Sequence, residues 1–151
     1  MRPITTSELD DIIARTDISR FISEVNYKFV FDRRQFVAIW GALINSGAGR
    51  IFARFNGNAI SEAIGVTIYT DPHDGIKTGS IVFWFKDGRS HGLATGSLRV
   101  DVEKELKALG VQRLFVSAIL NHRYMQVAQS LGREGFEPME VHLMKKLWDT
   151  T

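Results

Sequence analysis

The sequence contains no cysteine, only three prolines and no apolar run long enough to cross a bilayer. The absence of cysteine excludes disulfides, a cysteine nucleophile and thiolate metal sites. A membrane-spanning helix needs about 20 consecutive apolar residues, and the first residues lack the apolar core of a signal peptide. These absences predict a cytoplasmic protein without a membrane segment.

An excess of charge of one sign is also missing. The chain has 19 Lys and Arg against 17 Asp and Glu, for a formal net charge of +2. The basic residues are scattered, so there is no strong case for nucleic acid, and four scattered histidines predict no metal site. Repeats, linkers and low-complexity segments are absent, and 151 residues suit a single domain, residues 1–151.

Two helix-start signals occur in the first third of the sequence. Thr5 and Glu8 have the spacing of a capping box and predict a helix that runs to about Arg15. Asp32 predicts the start of a second long helix, which Gly47 can end.

Alternation of apolar and polar residues then predicts a three-stranded antiparallel meander over residues 50–86. Asn56-Gly57 is a hairpin-turn sequence because both residues tolerate a positive φ, and residues 71–75 form a second turn cluster. The residues expected to share a face are Ile60, Ile64, Val66 and Ile68 on the second strand, and Ile81, Phe83 and Phe85 on the third.

The remaining sequence predicts a helix ended by Gly110, a strand over 111–120, a helix over about 122–131 and a last strand over Met139–Leu147. In the first helix Glu103 and Lys107 are spaced as a favourable pair. Its apolar stripe is Leu98, Val102, Leu106 and Leu109. The order of elements indicates an α/β fold, meaning an α+β mixed sheet.

Gly92, Ala94 and Gly96 lie where the third strand gives way to this helix. The first turn of a helix has N–H groups without partners and a positive dipole end, and small residues let an anion approach them. The turn therefore predicts a pyrophosphate site. A Rossmann site is disfavoured because the turn follows an antiparallel meander. The alternative is a plain strand-to-helix connection that uses glycine for steric reasons.

The segment Arg89-Ser90-His91-Gly92-Leu93-Ala94 resembles the Arg/Gln-x-x-Gly-x-Gly/Ala signature of the GNAT N-acetyltransferases. The N-terminal strand and helix, the hairpin, and Leu131-Gly132 followed by Gly135-Phe136 also resemble that family's elements, in order. Arg133-Glu134 departs from the family's usual Leu-Gly-Phe as an insertion. The resemblance covers nearly the whole chain, is to small bacterial or phage members, and implies a GNAT-like acyl-CoA N-acyltransferase fold with a splayed central sheet.

The resemblance implies acetyl-CoA as cofactor and direct acetyl transfer to a primary amine of a small molecule or protein. Backbone amides of the turn would bind the pyrophosphate, strand residues would pair with pantetheine, and Asn121 would lie near the thiol. The cofactor-binding residues so implied are Phe83, Phe85, Arg89, His91, Gly92, Leu93, Ala94, Thr95, Gly96 and Asn121. Family members are often dimers, so a homodimer is a further expectation.

Two residues are candidates for the acid–base work. Glu62 is in register with the apolar face of its strand, where a desolvated carboxylate could act as a base; alternatively it reaches solvent at the strand end. The family often has a tyrosine near the position of Ala128, and Tyr124, one turn earlier, is the candidate donor or else a structural residue. A catalytically inactive GNAT-like binding or virion-associated module is the alternative function.

Overall fold

The computed structural model describes residues 1–16, 30–86, 98–117, 124–140, 142–145 and 147. Within these ranges the chain forms five strands and four helices. The strands are β1 (Arg2–Pro3), β2 (Gly49–Asn56), β3 (Ala59–Thr70), β4 (Lys77–Lys86) and β5 (Arg113–Val116). The helices are α1 (Thr6–Arg15), α2 (Arg33–Ser46), α3 (Leu98–Ala108) and α4 (Tyr124–Arg133).

The strands form one sheet in the order β1-β2-β3-β4-β5. Strands β1 to β4 are antiparallel to their neighbours, whereas β5 is parallel to β4 and is reached through α3. The predicted meander, β-α-β unit and mixed α/β class are thereby confirmed. In the part of the chain that the structure describes, no helix has the length and apolar character needed to cross a membrane.

Local capping chemistry fixes the helix ends, as the sequence predicts. The Thr5 and Glu8 side chains form both halves of the capping box at the start of α1. The Asp32 carboxylate accepts a hydrogen bond from the backbone N–H of Gln35 at 3.1 Å and so begins α2. At the other end of that helix Gly47 has φ +77°, the left-handed conformation that favours glycine.

Helices cover both faces of the sheet and produce two apolar clusters. Helices α1 and α2 pack on one face, where Trp40 meets Ile51 and Phe85. Helix α3 packs on the opposite face, where Leu98 and Val102 meet Ile64. We call these two sides the α1–α2 face and the α3 face.

Two β-bulges change which side chains share a face. A register shift between Gly65 and Val66 leaves Val82 as an extra residue in β4, so Ile81 faces α3 while Phe83 and Phe85 face α1 and α2. The prediction that Ile81, Phe83 and Phe85 share one face is therefore wrong.

A second shift, opposite Arg54 and Phe55, separates Ile60 from its predicted companions in the same way. Ile60 lies in the cluster under α1 and α2, whereas Ile64 and Val66 lie under α3. Each bulge inserts one residue, and one inserted residue turns the remainder of a strand over.

Several boundaries differ from the sequence prediction. The hairpin loop is Gly57-Asn58 rather than Asn56-Gly57, because Asn56 still pairs with Ala59. Strand β5 covers only part of the predicted 111–120, and α4, which is described from Tyr124 onward, ends two residues later than predicted. The last strand predicted over Met139–Leu147 is wrong, since the described residues of that range form no strand.

Two details of α3 also differ. Leu109 lies in the turn after the helix and is exposed, so it does not extend the buried stripe of Leu98, Val102 and Leu106. Glu103 forms its ion pair with Arg99, one turn earlier, and not the predicted pair with Lys107.

Candidate functional site

Strands β4 and β5 pair over four residues and then part. The parallel register joins Thr78–Ile81 to Arg113–Val116, whereas β4 continues to Lys86. From Val82 to Lys86 the outer edge of β4 has no strand partner among the described residues, and we call the space beside this edge the slot. The parting begins at the bulge, as expected where a bulge ends pairing beside a functional site. Among the described residues the pairing of β4 with β5 ends where the resemblance implies that the sheet splays.

Phe83 and Phe85 flank this slot, with their side chains on the α1–α2 face. The Phe83 ring lies over Gly65, where an added Cβ would come within 2.1 Å of the ring. It also packs against Phe36 and Trp40, with ring centroids 5.7 and 5.2 Å away. The packed rings fix the course of β4, and a molecule in the slot would meet the backbone of the strand.

The signature turn lies between β4 and α3, outside the described residues. This applies to Arg89, His91, Gly92, Leu93, Ala94, Thr95 and Gly96, and equally to Asn121 before α4. Their roles stay predictions. The structure describes the two elements that flank the turn: β4 ends at Lys86, and α3 begins at Leu98, which is fully buried.

A polar network joins the first turn of α3 to the sheet. Arg54 of β2 donates to the Asp101 carboxylate at 2.6 Å and lies 3.5 Å from a carboxylate oxygen of Glu62. The indole N–H of Trp84 donates to the other oxygen of Glu62 at 3.0 Å. Four elements, β2, β3, β4 and α3, therefore meet through three ion-pair or hydrogen-bond contacts.

Glu62 is the predicted base, and it is only 6% exposed. It lies on the α3 face with Ile64, two residues later in the same strand, and Arg54 joins it to Asp101 of α3. The alternative in which Glu62 reaches solvent at the strand end is wrong. Its carboxylate forms an ion pair with Arg54 and accepts a hydrogen bond from the indole of Trp84, as expected for a buried acidic side chain. Its catalytic role stays a prediction.

Arg99, in the first turn of α3, is the feature that sequence reasoning missed. Its side chain is 2% exposed and forms ion pairs with Glu103 and Glu134. The guanidinium also lies over the Phe136 ring, 5.0 Å from its centroid, and burial lowers the pKa of Arg99. The spacing of Arg99 and Glu103 was a readable signal, whereas nothing in the sequence pointed to Glu134.

Helix α4 carries the candidate donor. Tyr124 is its first residue, and the Tyr124 side chain lies outside the described part of the structure. Ala128, at the position matching the family's tyrosine, is half-buried one turn later. The structure thus places the Tyr124 backbone and leaves its proposed role a prediction.

The turn between β3 and β4 contains a histidine, His73, between two aspartates, Asp71 and Asp74. His73 is 91% exposed and its ring contacts Asp71 at 2.9 Å, not Asp74. The backbone N–H and ring of His73 hold the pKa of Asp71 below its ordinary value. Arg113 of β5 binds both Asp71 and Asp74, so these residues tie the turn to the edge strand. Among the described residues no group of three or more potential metal ligands occurs.

Comparison by sequence finds no match for this chain, whereas comparison by structure finds several. No family model matches the sequence, and no curated protein matches it. An integron cassette protein from the mobile metagenome of Cole Harbour Salt Marsh is 20% identical, with a TM-score of 0.69 over 99% of this chain and 91% of the other.

Two further similar structures are those of acetyltransferases. A predicted acetyltransferase with acetyl-CoA from Clostridium acetobutylicum is 14% identical, with a TM-score of 0.72 over 97% of this chain and 94% of the other. An aminoglycoside acetyltransferase from an uncultured soil metagenomic sample, in complex with sisomicin, is 14% identical, with a TM-score of 0.71 over 97% and 95%. At this level of identity the likeness concerns the fold, and the chain has the fold of the GNAT acetyltransferases.

Proposed function

We propose that the protein is an acyl-CoA-dependent N-acyltransferase that transfers acetyl from acetyl-CoA directly to a primary amine. The observation that carries the proposal is the parting of β4 and β5 at the Val82 bulge. This slot is followed directly by the Arg89–Ala94 signature, on a fold shared with acetyltransferases.

The residues present fit such a cofactor. The edge of β4 from Val82 to Lys86 has backbone donors and acceptors in a suitable place for the amides of a pantetheine arm. Beyond it, the amides of His91–Gly96 and the start of α3 would hold the pyrophosphate, because a helix N-terminus favours an anion. Arg89 would add a charged contact and Asn121 would lie toward the thiol.

Acetyl-CoA supplies a thioester carbonyl when bound. Direct transfer needs the acceptor amine in its neutral form, so a base must accept one proton, and the departing thiolate needs a donor. We assign Glu62 as the base, through a water because its carboxylate already contacts Arg54 and Trp84. Tyr124 is the proposed donor.

A binding module without catalysis is the second candidate. Ala128 cannot donate a proton, and both oxygens of Glu62 already have partners. Those two observations favour a protein that keeps the cofactor site and lacks turnover.

Calorimetric titration with acetyl-CoA and with CoA tests the cofactor site. We expect binding by the unaltered protein and none by Gly92→Glu, which places bulk and negative charge where the pyrophosphate would lie. Ala38→Glu is the matched control, because it adds the same charge to an exposed position of α2. No binding by the unaltered protein at millimolar ligand would overturn the proposal.

An assay of CoA release over a panel of primary amines then separates the two candidates. Amine-dependent release supports the enzyme, and Glu62→Gln should then lower kcat. Cofactor binding without release for any amine, and without hydrolysis, supports the binding module.

A second copy of the chain is the proposed partner. Large apolar side chains are exposed on the C-terminal segment, beside the outer edge of β5; they are Met139, Leu143, Met144 and Leu147. Such a cluster is expected to be covered in solution. Light scattering should give twice the chain mass, 34 kDa for a 17.0 kDa chain, and a monomer at micromolar concentration would contradict this.

A further inference from the structure

The turn that ends α4 has a closed and well-defined shape. The backbone N–H of Phe136 donates to the carbonyl of Leu131 at 3.1 Å, and that of Gly135 donates to Gly132 at 3.2 Å. Gly135 has φ +89°, which completes the hydrogen-bond pattern of a Schellman motif. This turn presents Glu134 and Phe136 to the same guanidinium, that of Arg99.

Arg99 is an unusual choice for its position. A cation in the first turn of a helix is disfavoured by the helix dipole, and burial of a charge is costly without partners. Two carboxylates, Glu103 and Glu134, and the Phe136 ring offset these costs. Glu103 lies on the same helix as Arg99, whereas Glu134 and Phe136 lie in the turn after α4. The contacts of Arg99 therefore join α3 to the end of α4.

The joined elements, α3 and α4, each adjoin residues proposed for the cofactor site. Arg99 lies three residues after Gly96, the last residue of the proposed phosphate turn. Glu134 directly follows α4, the helix that begins with the candidate donor Tyr124. Glu134 belongs to the Arg133-Glu134 insertion, so the contact comes from the place where this chain departs from the family's sequence pattern.

We propose that Arg99 is a positioning residue that, through Glu134 and Phe136, holds α4 in register with the cofactor helix α3. The inference rests on the proposed function, since it concerns how the second wall of the same site is held. It assigns the pair to the pantetheine end of the site, because α4 begins with Tyr124, the donor proposed for the departing thiolate, and follows Asn121, the residue proposed to lie near the thiol.

This assignment makes a prediction that general loss of stability does not. The 3′-phospho-ADP portion of CoA contains the phosphates and lacks the pantetheine arm. Loosening α4 should therefore weaken acetyl-CoA and leave 3′-phospho-ADP unaffected. A disturbance of the phosphate turn itself would weaken both ligands alike.

Glu134→Gln is the test variant, since it keeps the shape of the side chain, removes its charge and leaves Arg99 paired with Glu103. We expect its Kd for acetyl-CoA to rise about tenfold, the size of one charge-assisted hydrogen bond. Its Kd for 3′-phospho-ADP should change by less than about twofold. Glu137→Gln, which removes the same charge three residues later at an exposed site, should match the unaltered protein with both ligands.

Phe136→Leu provides a second test if Glu134→Gln does not fold. It removes the ring under Arg99 while keeping an apolar side chain, and it should show the same selectivity with a smaller change. Equal weakening of both ligands, or no weakening of acetyl-CoA, overturns the inference while the proposed function stands. Failure of the unaltered protein to bind acetyl-CoA overturns both.

Discussion

Gly65 of β3 offers a sharp test of how the strand beside the slot is held. A Cβ added there would lie 2.1, 2.5 and 2.6 Å from three atoms of the Phe83 ring. Carbon atoms in van der Waals contact are about 3.5–4.0 Å apart. The ring would have to move by roughly 1.5 Å, the difference between these distances. It cannot do so freely, because it packs against Phe36 and Trp40.

Overpacking of this kind costs about 1–3 kcal/mol. For a chain of this length a loss near 2 kcal/mol corresponds to a fall in Tm of about 4–8 °C. Phe83→Leu removes Cε1 and Cζ, the two ring atoms that the new methyl group would meet most closely. Combined with Gly65→Ala it should recover at least about 1 kcal/mol relative to the sum of the single changes.

Urea unfolding and thermal melting of the two single variants and the double variant measure this coupling. Gly132→Ala is the matched control, because a Cβ there meets no atom within 4 Å. In helix α4 the added methyl group should raise the free energy of unfolding by about 0.5–1 kcal/mol. If Gly65→Ala were as stable as the original protein, or if Phe83→Leu gave no recovery, the described packing over Gly65 would be refuted.

Three further outcomes follow from the described contacts. Arg113 holds the pKa of Asp74 below its ordinary value, so this pair stabilises the fold above about pH 4 and the effect is lost as the pH falls through the lowered pKa. Asp74→Asn should therefore lower Tm at pH 7, and the Tm values of the two proteins should converge as the pH falls through the lowered pKa of Asp74; a gap that stays constant down to the acid limit of folding would contradict the assignment. Thr5→Ala removes the side-chain half of the capping box and should cost about 1 kcal/mol in urea unfolding, and no loss would show that the cap is not needed. Gly110→Ala places a side chain at φ +80° and should cost about 1–2 kcal/mol, with circular dichroism of the native state unchanged.

The features that the sequence predicted best are those set by neighbouring residues. A capping box needs only Thr5 and Glu8, and a left-handed helix end needs only a glycine such as Gly47. Both signals act within one helical turn, so tertiary packing had little power to change them. The meander was readable for a similar reason, because its strands are joined by short turns.

The features that the sequence missed depend on partners far along the chain. Alternation placed Ile81 with Phe83, and a single inserted residue at Val82 reversed that relation without any signal in the residue types. The Met139–Leu147 segment has the alternation of a strand, yet periodicity does not decide whether a segment pairs with a sheet edge, and its described residues form no strand. Arg99 and Glu134 are 35 positions apart, so nothing local joins them.

In the candidate site, too, the part set by neighbouring residues could be predicted and the part set by distant residues could not. Its cofactor half is a short motif and could be read directly from Arg89–Ala94. The neighbours of Glu62 could not, because Arg54, Trp84 and Asp101 meet only after β2, β4 and α3 have assembled. The acceptor side has no comparable motif in the sequence. The assay over a panel of primary amines is the experiment that identifies the acceptor.

The parallel pairing of β4 with β5 also has a consequence for the order of folding. The β2–β3 and β3–β4 pairings close across short turns, whereas the β4–β5 pairing must first close a loop that contains α3. Since longer loops close at a greater entropic cost, we expect β5 to join the sheet after the transition state for folding. Interactions formed after that state act mainly on the unfolding rate. A ligand seated where β4 and β5 part would then slow unfolding and leave the folding rate nearly unchanged.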